Sequence, residues 1–243
     1  MQSDEPDIEQ LFAPIAPAAT PGVILREARD VLAHVQAPID AELWGSDMIG
    51  ALSRSAGGQP AAMSALATSL VPAAEEAATP EGLALLRIFA ALGDAGLRPS
   101  AAQAAERTQA TGVPAPRWAD GLGTPAVGDC WHYSDVSGQQ ESLTATFTYG
   151  AKSHALSVLI DHNRRGRIRD VWVGDAEGLL DKTWMAADND PLVVFETMDA
   201  HAAGDRLRQA IAAGECPAKP DEIDDVTAHR ALLHARANLL AGD

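Results

Sequence analysis

The chain has 243 residues with 34 acidic and 18 basic side chains, a formal net charge of −16, and a field of that sign repels phosphate backbones and anionic membrane surfaces. A general nucleic-acid binder is therefore disfavoured. With 47% hydrophobic and 21% charged residues, and no apolar stretch approaching the roughly 20 residues that span a bilayer, the expectation is a globular, cytoplasmic protein with its own core.

Residues 1–21 combine Asp4, Glu5, Asp7 and Glu9 with Pro14, Pro17 and Pro21 and read as an acidic, proline-rich arm without periodicity. From residue 22 to 112 the chain is alanine-rich and its apolar positions recur at helical spacing, which predicts a bundle of short helices. The first runs from Val23 to Gln36. Asp40 reads as the N-cap of a second, through Trp44 and Leu52, which Gly57 and Gly58 end. A third spans Pro60 to about Val71. Thr79, with Pro80 at N1, opens a fourth that closes at Gly93, and Ser100 caps a short fifth.

Prolines and glycines crowd residues 113–128 and mark a strap between two regions. Beyond it, over residues 129–243, alanine gives way to Thr, Val, Ile and aromatics, and the period falls to two. Strands are expected at about Cys130–Val136, Ser142–Tyr149, His154–His162, Ile168–Val173 and Leu192–Thr197. The first four, joined by short turns, make an antiparallel meander. A short helix is expected after Asp175, and two more, Ala200–Ala213 and Val226–Leu240, should cover the packed face of the sheet. The predicted fold class is α+β: an N-terminal helical bundle followed by a four- to five-stranded antiparallel meander under C-terminal helices.

The chemistry-bearing residues gather on the third hairpin. If its turn spans Asn163–Arg167, His162 pairs with Ile168 and Ile160 with Asp170, which sets Asp170 diagonal to His162 on one face. A carboxylate beside an imidazole fixes its tautomer and raises its basicity, as a general base requires; an ion pair at a sheet end has the same appearance. Arg164, Arg165, Arg167 and Arg169 fall within the same six positions of an otherwise acidic chain. Their guanidinium forks suit an acidic protein partner, a second copy of the chain through its acidic stretch Asp221–Asp225, or, locally, a nucleic acid.

Other patterns carry less. Asp199, His201, Asp205 and Glu196 resemble metal ligands, but Asp199 is explained as a helix N-cap. Cys130 and His132 share a face two residues apart without the constraint that a dyad needs, and Cys130 reads as a small core residue. The loops and helices that bind nucleotides, zinc or calcium, or that hold a serine nucleophile, are absent, so no cofactor or metal is expected. A cavity lined by Phe147, Val158 and Trp172 would make the protein a ligand carrier. The leading expectation is a non-enzymatic interaction or regulatory module that uses the sheet and its Arg-rich hairpin. The alternative is a hydrolase or nuclease with His162 as base, Asp170 as its orienter and Arg165 or Arg167 as an anion clamp.

Overall fold

Pro21, Pro38, Pro60 and Pro80 each stand at a helix start, where the missing amide costs no hydrogen bond, and they set the rhythm of the N-terminal half. The computed structural model describes residues 20–178, 180, 181, 185, 192–214 and 225–242. It divides the chain into two units, Met1–Gly123 and Thr124–Asp243. The division falls inside the expected strap.

In the first unit, helix α1 spans Pro21–Leu32 and α2 spans Pro38–Ala56. Asp40 lies inside α2 rather than ahead of it, and its Oδ2 accepts from the Ala37 amide at 3.1 Å, satisfying an N-terminal donor from within. Gly57, at φ +84°, takes the left-handed conformation that ends α2. The third segment is longer than expected: α3 (Gln59–Ala65) passes through a π turn (Leu66–Leu70) into α4 (Val71–Ala77). Pro72 cannot donate into a regular helical ladder, and the wider turn before it takes up the disruption. The hydroxyls of Thr68 and Ser69 donate to the carbonyls of Ser64 and Ala65 there.

Helix α5 (Pro80–Leu92) starts as expected, with Thr79 Oγ1 accepting from the Gly82 amide at 3.2 Å. Leu83, Leu85, Leu86, Ile88, Phe89 and Leu92 are all buried, so α5 is the central helix of the unit. Helix α6 (Leu97–Ala110) begins three residues before Ser100, because Asp94 Oδ1 accepts from the amides of both Gly96 and Leu97 and caps it earlier. A 3₁₀ turn at Arg117–Gly121 is held to α5 by Arg87, which donates to Asp120 at 2.7 Å.

The second unit is built on five antiparallel strands: β1 (Ala126–Asp135), β2 (Gln140–Tyr149), β3 (Lys152–Asp161), β4 (Arg167–Gly174) and β5 (Val193–Met198). Their order is β4-β3-β2-β1-β5, so the four-strand meander is as expected and β5 returns to the outer edge of β1. Strand β1 starts four residues before Cys130 and carries a bulge between Val127 and Cys130. Gly128 sits in that bulge because a Cβ there would lie 2.5 Å from Thr146 Oγ1, and the Thr146 hydroxyl donates to the Asp129 carbonyl across the gap.

Helices α7 (Ala200–Ala213) and α8 (Asp225–Ala241) cover one face of the sheet. The core there joins Cys130, Leu143, Ala145, Phe147, Leu156, Val158, Ile160 and Val171 to Leu207, Ile211, Leu233 and Leu240. The alternation of β2 thus reads as predicted, with Leu143, Ala145 and Phe147 inward. The two helices approach closely at Gly204, where a Cβ would meet the Ala241 amide nitrogen at 2.8 Å and the Ala237 carbonyl at 3.1 Å. The helix expected after Asp175 lies mostly outside the described residues, although Asp175 Oδ2 does accept from the Gly178 amide as an N-cap would. Among the described residues no helix is long and apolar enough to cross a membrane.

Candidate functional site

The helix-covered face of β2 runs Glu141, Leu143, Ala145, Phe147, Tyr149, so an apolar centre lies between two polar ends. Glu141 is buried at one of them. Its Oε1 accepts from Arg206 Nε on α7 at 2.6 Å and lies 3.2 Å from His162 Nε2, while its Oε2 lies 2.9 Å from His132 Nε2 on β1. The far nitrogen of His132 is 3.7 Å from Glu196 on β5. Burial pushes the Glu141 carboxyl up, but the bonds from Arg206 and His132 and the charges of Arg206 and His162 outweigh it and hold the group below the ordinary carboxylate value. An ionised carboxylate with this many partners is a fixed anchor. It positions Arg206 and His162 and is not available as a base.

Those two residues face a notch between α7 and the β3–β4 turn. Ile160, His162, Arg165 and Gly166 line it on the sheet side, and Arg206, Gln209, Ala210 and Ala213 on the helix side; its volume is about 240 Å³. The turn is rigidly made. A 3₁₀ segment over His162–Arg164 is fixed by the His162 amide bonding the Gln139 carbonyl at 2.9 Å and by Asp161 Oδ1 accepting from the Asn163 amide. Arg165 then adopts φ +65° and Gly166 φ +75°, and the Gly166 amide returns to the Asp161 carbonyl at 3.0 Å.

The hairpin register differs from the expected one. Ile160 pairs with Ile168 and Asp161 with Arg167, and a bulge at Arg169 then shifts the ladder so that Leu159 pairs with Asp170. Asp170 therefore shares the outer face with Leu159 and with the Ser157–Trp172 pair, whereas His162 reaches Arg206 on the helix side. The structure does not bring His162 and Asp170 together; the carboxylate beside His162 is Glu141, twenty-one positions upstream, which the preceding β2–β3 hairpin places opposite Ile160. The one-residue bulge produced the difference, since it exchanges the faces of everything past it.

The four arginines of the tip divide into two kinds. Arg164 lies 3.7 Å from Asp161, and Arg167 donates from Nε to the Ala213 carbonyl at 3.1 Å, closing the C-terminal end of α7. Arg165 and Arg169 are exposed, and among the described residues neither side chain has a hydrogen-bond or ion-pair partner.

At the opposite end of the same face, Arg236 of α8 is almost fully buried over the rings of Phe147 and Tyr149, at 5.1 and 5.8 Å from their centroids. Its Nη2 lies 3.5 Å from both the Tyr149 hydroxyl and His154 Nε2. His154 stacks on both rings, and burial together with the Arg236 charge pushes its pKa down to about 3. It is a neutral acceptor for the guanidinium.

The remaining sequence candidates have structural roles. Burial pushes the Cys130 thiol up to about 11, helped by Asp129 and Asp199, so it is no nucleophile. Asp199 Oδ1 accepts from the amides of His201 and Ala202 as the N-cap of α7. Among the described residues no cluster of His, Cys, Asp and Glu is placed to hold a metal ion. Phe147 and Val158 are fully buried in the core while Trp172 lies on the outer face, so these three line no common cavity. The acidic stretch 221–224 lies outside the described residues. Glu141 and Arg206 were missed at the sequence level, and His132 was weighed only as a partner for Cys130. The one visible signal was a charged residue, Glu141, occupying an inward position of the most regular strand. Comparison of the chain with protein-family models, with curated proteins and with solved structures finds no match.

Proposed function

We propose that the Thr124–Asp243 unit is a non-enzymatic interaction module that docks a protein partner through the β3–β4 tip, with an acidic stretch of that partner lying against Arg169 and entering the notch at Arg165. The observation that carries this reading is Arg165 itself. A non-glycine residue at φ +65° costs roughly 1 kcal/mol relative to glycine or asparagine, and its side chain makes no hydrogen bond or ion pair among the described residues. No polar bond within the described residues repays that cost, whereas a ligand would. The net charge of −16 disfavours nucleic acid as the partner and leaves a local cationic tip as the natural landing point for an acidic protein. A reducing cytoplasm suits the buried thiol of Cys130.

The hydrolytic alternative fits less well. Its base would be His162, yet Asp170 does not orient it, and the carboxylate that lies beside it, Glu141, is shared with Arg206 and His132. The docking reading is tested with the tagged full chain carrying Arg165→Glu and Arg169→Glu together, compared with wild type by co-purification and by size exclusion with light scattering. Loss of association at unchanged melting temperature is expected. Undiminished association would remove the proposal.

A further inference from the structure

We infer that the notch recognises a single carboxylate, the side chain of one glutamate or aspartate in an acidic segment of the partner, in preference to a phosphate group. This deepens the docking reading above and rests on it.

Size sets the first limit. About 240 Å³ is below the roughly 300–1,000 Å³ of sites that enclose metabolites or nucleotides, and it holds about eight waters or one side chain with its head group. The lining is mixed: Ile160, Ala210 and Ala213 are apolar, while Arg165, Arg206, His162 and Gln209 carry polar groups.

Charge sets the second limit. Arg165 and Arg206 face the notch, but Glu141 stands directly behind Arg206 at 2.6 Å and cancels one of the two. Arg167 is set against the carbonyl end of α7 at Ala213, where the helix dipole offsets it, and Arg164 against Asp161. Counted over the arginines and the carboxylate, the notch carries an excess of about one positive charge. That matches a monoanion. A phosphate dianion would leave a negative charge uncompensated inside a molecule whose overall field already repels it.

Preorganisation favours a planar ligand. Arg206 is held through Nε by Glu141 with His162 Nε2 3.4 Å from its Nη2, and the backbone of Arg165 is fixed on both sides by the Arg165 amide to the His162 carbonyl and the Gly166 amide to the Asp161 carbonyl. Arg206 on the helix can present its guanidinium to a carboxylate with little ordering cost, while the Arg165 side chain, exposed on a fixed backbone, is ordered by the ligand itself.

The test uses the ¹⁵N-labelled full chain and three blocked peptides, Gly-Glu-Glu-Glu-Gly, its glutamine counterpart, and a counterpart with phosphoserine in place of the central glutamate. The arginine Nε–H signals of Arg165 and Arg206 and the side-chain amide of Gln209 are followed. Saturable shifts with the glutamate peptide, none with the glutamine peptide, no tighter binding of the phosphopeptide, and at least about tenfold weakening in Arg165→Ala are expected. Arg165→Gly serves as a second variant that also relaxes the backbone. Silence of all three signals toward the glutamate peptide, or phosphopeptide binding tenfold tighter, would overturn the inference. If the notch is silent while Arg165→Glu/Arg169→Glu still abolishes partner association, carboxylate recognition fails and docking stands. If the peptide binds and charge reversal leaves association intact, the carboxylate site stands and docking fails.

Discussion

Arg206 and Glu141 are 65 positions apart and meet at 2.6 Å, and that bond ties α7 to the sheet at the rim of the notch. Glu141 is buried whereas the Arg206 side chain remains 38% exposed. Removing the arginine therefore leaves a buried carboxylate with only histidine partners, and Arg206→Ala should lower stability by roughly 1–3 kcal/mol after allowance for the solvent around Arg206. Urea unfolding measures it. Because the folded Glu141 carboxyl lies below its ordinary value, its contribution is present above about pH 4.3 and disappears as pH falls through the folded value. The stability gap between wild type and Glu141→Gln should accordingly close on acidification below about pH 4.

His154 gives a second pH dependence in a higher window. Its folded pKa of about 3 lies below the unfolded value of 6.5, so the unfolded chain takes up a proton first. The stability from keeping His154 neutral is complete above about pH 6.5 and is lost between there and about pH 3, at up to about 1.4 kcal/mol per pH unit. His154→Phe preserves stacking on Phe147 and Tyr149 and removes the titration. Its stability should be flatter between pH 6.5 and 4 than that of wild type in chemical denaturation.

The tip arginines should separate in a stability measurement. Arg167→Ala removes the bond to the Ala213 carbonyl and is expected to cost about 1 kcal/mol. Arg165→Gly relieves a left-handed residue and should leave stability unchanged or raise it by up to about 1 kcal/mol. A stabilised Arg165→Gly chain that no longer binds the acidic peptide would be the signature of an arginine kept for recognition.

Gly204→Ala tests the helix pair. Alanine is the better helix former, but here its Cβ would meet backbone atoms of Ala241 and Ala237, which cannot rotate away. The helices must separate. A loss of roughly 1–3 kcal/mol is expected, against a gain of about 1 kcal/mol from propensity alone, and thermal unfolding decides the sign.

Much of this architecture could be read from local pattern. Thr79–Pro80 announced the start of α5, and the alternation Leu143, Ala145, Phe147 fixed which face of β2 is buried, because both signals act over a few residues. The pairing of β5 with β1 could not be read, since Val193 lies 58 positions beyond its partner Asp135 and no turn dictates the partner. The site was half legible for the same reason. Four arginines in six positions identified the tip, but a single bulge at Arg169 decided that Asp170 would face away, and the partner of His162 came from β2, whose register opposite β3 sets Glu141 against Ile160.

The two polar ends of β2 also bear on how the unit finds its fold. A strand displaced by two residues would keep every apolar side chain facing the helices, so hydrophobic contact alone discriminates poorly against that error. Here such a displacement would carry the carboxylate of Glu141 into the leucine-lined centre and draw the aromatic rings away from Arg236. Both consequences are expensive in a dry interior, and together they act as a proofreading device written into one strand.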